Sequence, residues 1–286
     1  MKEFYIDNTQ DKNSEIKVES IKEKNKIKRS PIPILEYDSF AESITQVKKD
    51  IYPNKHKIKR CVITYFQDVI AKLENNYVIF QAFRLRIEGV RPRVYELKIN
   101  EKEGKESIYV LLCPLGAPQA ARMMEILSAI GIKKFVVCGG AGTLDNTITD
   151  NKILLATSAV RDEGTSYHYL PPARIVKIAS NVRNKMIEVL KKEKENFCEI
   201  KTWTTDASFR ETPAKVQLRK NEGCVTVEME CSAYYAVAKF KKISCGQLLY
   251  AGDVVKKEGW DYRDWHSKTD IREHLFNLSV KCVLAL

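Results

Sequence analysis

The feature that most constrains the fold is the regular alternation of short apolar segments with amphipathic ones. RCVITYF (60–66), SIYVLLCP (107–114) and KKFVVCGG (133–140) are continuous apolar runs of strand length. QAARMMEILSAIG (119–131) and IREHLFNLSVKCVLAL (271–286) instead have the spacing of amphipathic helices. Continuous apolar strands are typical of a sheet that is covered on both faces. The sequence therefore predicts an α/β fold, a three-layer sandwich whose central mixed, largely parallel sheet is flanked by helices.

Two regions of the chain differ in composition. Residues 1–50 are polar and highly charged, and such a segment buries too little apolar surface to order itself. Pro31 and Pro33 mark the junction with the more apolar remainder. We predict a flexible, charged N-terminal extension in residues 1–50 and a catalytic domain in residues 51–286.

Charge and cysteine usage limit the classes of function. The formal net charge is +11, but the lysines are spread along the chain among glutamates, so we expect no nucleic-acid partner. Salt-sensitive binding of nucleic acid through the extension stays an alternative. No apolar run approaches the ~18 residues that a membrane span needs, so we expect no membrane association. The eight cysteines form no C-x-x-C pair, which favours reduced thiols, a cytoplasmic protein and no metal site.

The loops that follow the predicted strands are rich in residues that can contact a ligand. In the glycine run CGGAGTLD, Gly139, Gly140 and Gly142 follow a strand and can form a tight turn or let a ligand approach the main chain. Asp253 ends the strand LLYAGD and is either a turn former or a general acid. Phe209 lies in a polar loop, where its ring can stack on a flat ligand.

The segment VTVEMECSAYYAVAKF carries two acids in apolar surroundings, at Glu228 and Glu230 around Met229. A buried carboxylate needs a partner, because without one its desolvation is costly. One interpretation is a carboxylate at the start of a helix, stabilised by the helix dipole. The other is an acid that accepts two hydrogen bonds from a diol.

In chain order, the segments PLGAPQAA, the glycine run, AVRDEGTSYHYLPP, TTDASF, VEMECSAYYAVA and AGD resemble the nucleoside phosphorylase superfamily, which includes uridine phosphorylases, hexameric purine nucleoside phosphorylases and nucleosidases. The resemblance runs from about Arg60 to the C-terminus. It implies a ribose site, a base site and a proton donor to purine N7. The residues it implies are Glu230, Met229 and Glu228 for ribose, Phe209 and Gly140 for the base, and Asp253 as the acid.

The sequence departs from the phosphorylases of this family where they bind phosphate. TYFQDVIAK (64–72) lacks the Gly-Asp-Pro loop and its arginine, and Val137 stands where a second arginine precedes the glycine run. The phosphate ligands that remain possible are Arg91, Arg93 and the amide of Gly139.

Nucleosidases of the family also lack these arginines and activate water with an acid after the first strand. Asp68 lies near that place, and it is equally interpreted as the N-cap of the following helix. The resemblance thus favours a nucleoside phosphorylase, with purine slightly favoured over uridine. It implies no cofactor, inorganic phosphate as co-substrate, a nucleoside as small-molecule partner, and a homo-oligomer, either a dimer or a hexamer. The alternatives are a hydrolytic nucleosidase and a nucleoside-binding sensor without turnover.

Overall fold

The computed structural model describes residues 27–39, 43–47, 52–54, 57–87, 89–101, 104–256 and 258–286. Most of the predicted N-terminal extension lies outside the described residues, so the domain boundary at residue 50 stays a prediction. The described part of that extension includes a short 3-10 helix, Pro33–Leu35, which lies against a second one, Thr165–His168.

The centre of the molecule is one mixed sheet of eleven strands. The strands are β1 (Arg60–Thr64), β2 (Ile79–Arg84), β3 (Arg93–Glu101), β4 (Gly104–Leu112), β5 (Lys134–Thr143), β6 (Ile153–Asp162), β7 (Ile175–Lys177), β8 (Phe197–Thr205), β9 (Cys224–Glu228), β10 (Ser244–Lys256) and β11 (Gly259–Asp261). The described α-helices are α1 (Gln67–Asn75), α2 (Ala117–Ala129), α3 (Asn146–Thr149), α4 (Ser180–Lys192), α5 (Pro213–Asn221), α6 (Cys231–Lys241) and α7 (Thr269–Ala285).

The strand order brings the ends of two parallel groups together. Strands β4, β1, β5 and β10 are parallel neighbours, and so are β6, β8 and β9. Antiparallel pairs join β5 to β9 and β10 to β6. Five strands therefore close into a ring, in the order β5, β9, β8, β6 and β10. The predicted α/β class with a mixed sheet is confirmed. Because ligands in such sheets bind beyond the carboxyl ends of the strands, the site is expected where the two groups meet, beside the end of β5.

Helices cover the sheet because their apolar faces pack against its apolar strands. Helix α2 packs against α6, while α7 packs on β1 and β5 and against α1 and α4. Eight residues of α6 are buried, which explains why its sequence, CSAYYAVAKFK, is apolar nearly all round. None of the described helices combines the length and the hydropathy that a membrane span requires.

The glycine run does not form the turn that the sequence suggested. Gly139, Gly140 and Gly142 are part of strand β5, and none of them has positive φ. Close packing explains them instead, because a Cβ on Gly139 would lie 3.3 Å from the ring of Tyr65, and one on Gly140 would lie 3.2 Å from the ring of Tyr250. Larger side chains would displace these two rings.

Candidate active site

Strand β9 and helix α6 separate the two acids of the EME segment. Glu228 ends β9, and Glu230 is the N-cap residue of α6, although its side chain does not cap the helix. Glu228 accepts hydrogen bonds from Thr204 Oγ1 (2.5 Å) and from the backbone N–H groups of Glu230 (2.8 Å) and Cys231 (2.7 Å). Both of its oxygens are thus occupied by protein donors. The interpretation as a helix-terminal carboxylate therefore describes Glu228.

Glu230 is held differently. Its Oε1 accepts one hydrogen bond, from the backbone N–H of Gly116 (2.6 Å), in the loop between β4 and α2. The side chain is buried, and burial together with the negative charge of Glu228 raises its pKa. Burial also raises the pKa of Glu228, although its hydrogen bonds oppose the shift. This buried carboxylate has fewer protein donors than Glu228 and keeps acceptor positions for ligand hydroxyls, so the geometry favours Glu230 over Glu228 for a diol.

Two tyrosines lie between Glu230 and the glycine run. The hydroxyls of Tyr65 and Tyr234 are 2.8 Å apart, and Tyr234 also donates to Cys113 Sγ at 3.5 Å. Burial raises the pKa of both phenols well above their ordinary value, so both are neutral. Tyr65 therefore adds no charge where its ring covers Gly139.

Asp253, the predicted acid, does not end its strand as the sequence suggested, because β10 continues to Lys256; it lies in β10 close to the end of β5. Its Oδ2 accepts a hydrogen bond from Trp260 Nε1 at 2.6 Å, and its Oδ1 lies 3.4 Å from where a Cβ on Gly142 would stand. A second carboxyl group, Glu211, is near. Burial and the charge of Asp253 raise the pKa of Glu211 to about 7. Two acids therefore share this end of the site.

Asp68 lies in the first turn of α1 and is not its N-cap, because Phe66 holds that position without a capping side chain. The N-cap interpretation is therefore wrong. Instead, Asp68 Oδ1 pairs with Arg272 Nη1 of α7 at 3.1 Å. Arg272 also donates to the hydroxyl of Tyr250 at 3.1 Å, and the Tyr250 ring covers Gly140.

The remaining candidate residues have different environments. Met229 is half-buried between the two acids, and Phe209 is 99% exposed on the short 3-10 helix Ser208–Arg210. Arg93 starts β3 and pairs with Glu74 at 3.0 Å. Arg91 is exposed. None of these positions tests the roles that the resemblance implied, which stay predictions.

Sequence reasoning missed the residues that orient the acids. Arg272 belongs to IREHLF, where an arginine is normally interpreted as a surface residue of an amphipathic helix, yet it is only 8% exposed. Trp260, which donates to Asp253, and Glu211, which lies near Asp253, were not predicted either. The one available signal was the position of Glu211 directly after the loop that contains Phe209.

Comparison with known proteins places this arrangement in a family. A family model described as "Phosphorylase superfamily" matches residues 59–279, which is more than half of the chain. Guanosine phosphorylase from Halorubrum lacusprofundi is 25% identical over 203 residues, covering 68% of this chain and 82% of that protein.

Solved structures share the fold. Uridine phosphorylase from Vibrio fischeri ES114 superposes with a TM-score of 0.64 and 16% identity, over 86% of this chain and 100% of that one. AMP nucleosidase from Bacteroides thetaiotaomicron VPI-5482 gives a TM-score of 0.62 and 18% identity, over 80% and 89% of the two chains. From the family match and the shared fold, the chain belongs to the phosphorylase superfamily and is an enzyme of its nucleoside phosphorylase and nucleosidase class.

Proposed function

We propose that this enzyme hydrolyses the N-glycosidic bond of a purine ribonucleoside, with water rather than phosphate as the acceptor. The observation that carries this proposal is the neutralised charge at the carboxyl edge of the sheet. Arg272 is paired with Asp68, and Arg93 is paired with Glu74. A phosphate dianion needs charge-assisted bonds from cations that are not already neutralised. Water has no such requirement.

The two tyrosine rings that pack on the glycine run also favour water over phosphate as the acceptor. By the family resemblance, phosphate would bind beside Gly139 and Gly140, and here Tyr65 and Tyr250 pack against these two glycines. Neutral phenol rings offer a dianion no charge. The AMP nucleosidase of B. thetaiotaomicron, by its name a nucleosidase, shows that the fold accommodates this class of enzyme.

The residues present can divide the reaction between them. Glu230 accepts hydrogen bonds from the ribose 2′- and 3′-hydroxyls and positions the sugar. Asp68 takes one proton from water as the water oxygen bonds to C1′ and the C1′–N bond breaks. The bonding electrons leave with the base, and Asp253 passes the proton of Glu211, which is partly protonated at neutral pH, to the base nitrogen N7. Asp68 ends protonated and Glu211 ionised, and exchange with solvent restores both.

Two acids and one aromatic ring at the site favour a purine. Asp253 suits protonation of N7, which pyrimidines lack. Glu211 lies near Asp253 and, with its pKa raised to about 7, is partly protonated at neutral pH, so it can donate to or accept from a neighbouring group of the base. Phe209, exposed on its loop, is the proposed stacking partner of the base.

Substrate discrimination by Glu230 tests this proposal. Release of free base is measured from matched ribonucleosides and 2′-deoxyribonucleosides for the wild type, Glu230→Gln and, as the matched control, Glu228→Gln. Hydrogen bonds to a carboxylate contribute about 1.5–3 kcal/mol each, so we expect the ratio of kcat/KM values (ribo over deoxy) to fall at least ~10-fold in Glu230→Gln. Glu228→Gln leaves the ratio unchanged. No base release from any nucleoside by the wild type, or an unchanged ratio in Glu230→Gln, contradicts the proposal.

Phosphorolysis is the second candidate, and one surface favours it. Arg84, Arg86, Arg91 and Arg122 line a groove of about 1290 Å³ beside the β2–β3 connection. Arg91 has no carboxylate partner among the described residues. In a homo-oligomer, Arg91 could reach the site of a second copy, as the family resemblance implies for this region. Arg91→Met then abolishes phosphate-dependent base release, whereas hydrolysis is unaffected by this change.

A further inference from the structure

The two oxygens of Asp68 have unequal surroundings. Oδ1 accepts a hydrogen bond from Arg272 Nη1 at 3.1 Å. Oδ2 is buried, yet it accepts no hydrogen bond from any group that the structure describes. A buried acceptor without a donor is destabilising, so this oxygen is suited to a donor from outside the protein.

Arg272 is fixed on every side. Besides Asp68, its guanidinium donates from Nε to the Tyr250 hydroxyl (3.1 Å) and from Nη2 to the carbonyl of Trp265 (3.0 Å). The rings of Phe66 and Trp265 lie 5.6 Å and 5.5 Å from its central carbon, at cation–π distance. Because three of its donor atoms are used within the protein and the side chain is buried, Arg272 is not free to bind a phosphate dianion.

The contacts of Arg272 with Asp68, Tyr250 and Trp265, which we call the clamp, join four separate segments at one edge of the sheet. Asp68 is in the first turn of α1, Tyr250 belongs to β10, Trp265 belongs to the segment after β11, and Arg272 is in the first turn of α7. Strand β11, which directly precedes that segment, holds the acid, because its Trp260 donates to Asp253. The position of Asp68 is therefore set by elements that also set Asp253.

We propose that Arg272 is a positioning residue that fixes the Asp68 carboxylate through Oδ1 and so leaves Oδ2 as the acceptor for the proton of the attacking water. This assignment rests on the proposed hydrolysis. Arg272 itself does not touch the substrate. Its planar fork matches a carboxylate and two further acceptors at once, which the single ammonium of a lysine cannot do.

A double-mutant cycle with Asp68 tests the assignment. Base release is measured for Asp68→Asn, Arg272→Met, Arg272→Lys and the double variant Asp68→Asn/Arg272→Met. Loss of a general base lowers kcat by about 10²–10⁴-fold, so we expect this from Asp68→Asn. Arg272→Met lowers kcat by about 10–100-fold with KM within ~3-fold, and the double variant is within ~3-fold of Asp68→Asn alone. Arg272→Lys recovers part of the loss.

Arg219→Met is the matched control. Arg219 is also a buried arginine, paired with Asp162 at 3.0 Å and lying 5.5 Å from the Trp203 ring. Losing its pair destabilises the fold in the same way, but kcat stays within ~3-fold at a temperature where all variants are folded.

The outcomes separate the two proposals. If the wild type releases no base, the proposed function fails and the role of Arg272 fails with it. If the wild type hydrolyses nucleosides but the effects of Asp68→Asn and Arg272→Met multiply in the double variant, only the role of Arg272 is overturned. Equal losses in Arg219→Met and Arg272→Met overturn it as well, because they show a merely structural effect.

Discussion

At the scale of single residues, two glutamates two positions apart have different environments. Glu228 accepts hydrogen bonds from a backbone N–H at the start of α6 and from Thr204, whereas Glu230 accepts one from the backbone N–H of Gly116. The sequence could predict that acids in this apolar segment need partners. It could not predict which of the two acids has its acceptor positions filled by protein donors. Two of those donors come from strand β8 and from the β4–α2 loop, which are both distant in the sequence.

This difference predicts opposite effects on stability. Glu228→Gln replaces one acceptor oxygen by an amide and leaves buried donors without a partner, so we expect the free energy of unfolding to fall by about 1–3 kcal/mol. Glu230→Gln keeps an acceptor for Gly116 and removes a buried charge next to Glu228, so stability is unchanged or slightly higher. Urea denaturation at pH 8 measures both. Greater destabilisation by Glu230→Gln than by Glu228→Gln would contradict these environments.

Glu211 predicts a pH dependence of stability. Its pKa is raised from 4.5 to about 7 in the folded protein, so the native state binds more protons than the unfolded state in this range. Stability is therefore lost as the pH rises from about 4.5 to about 7. Glu211→Gln removes this loss and is more stable than the wild type at pH 8, on the order of 1 kcal/mol after solvent screening. At pH 4 the two proteins are equally stable.

The difference between the wild-type and Glu211→Gln curves isolates this group, since the other titrating groups are common to both proteins. Denaturation at pH 4, 6 and 8 gives the curve. A difference that is the same at all three pH values would show that Glu211 is not perturbed by burial and Asp253.

At the scale of elements, the apolar alternation was sufficient to predict the fold. The predicted strands at RCVITYF, SIYVLLCP and KKFVVCGG are β1, β4 and β5, and the predicted terminal helix is α7. The glycine run misled because glycine is typical of turns and also of strands that are closely approached. Only the tertiary contacts of Tyr65 and Tyr250 distinguish the two.

The close packing on strand β5 predicts that alanine at Gly140 lowers stability more than alanine at a glycine with open surroundings. In Gly140→Ala the new methyl group lies 3.2 Å from the Tyr250 ring, whose hydroxyl holds Arg272. We expect a loss of stability of about 1–3 kcal/mol from overpacking, and a lower kcat, because the ring and its arginine shift together. Gly164→Ala is the control, since a Cβ there has no neighbour closer than 3.7 Å.

Chemical denaturation and base release measure the two effects. Gly140→Ala with wild-type stability and kcat would contradict the tight packing of Tyr250 on β5. Loss of stability with unchanged kcat would separate the packing of the ring from the clamp on Asp68.

At the scale of the whole molecule, the closed ring of five strands brings the chemistry to one place. Glu228 lies in β9, Asp253 in β10 and the glycine run in β5, and β5 pairs with both of the other strands. The order of the motifs along the chain predicted the family, and the family resemblance predicted that these residues lie at one site. The ion pair of Asp68 with Arg272 could not be predicted, because it joins residues 204 positions apart.

The central claim, that water and not phosphate accepts the sugar, is tested most directly by identifying the sugar product. The enzyme is incubated with a purine ribonucleoside with and without saturating inorganic phosphate, and base and sugar are both quantified. The neutralised arginines predict free ribose equal in amount to the base, at a rate that phosphate does not change. Ribose 1-phosphate in equal amount to the base, formed only when phosphate is present, would contradict the account.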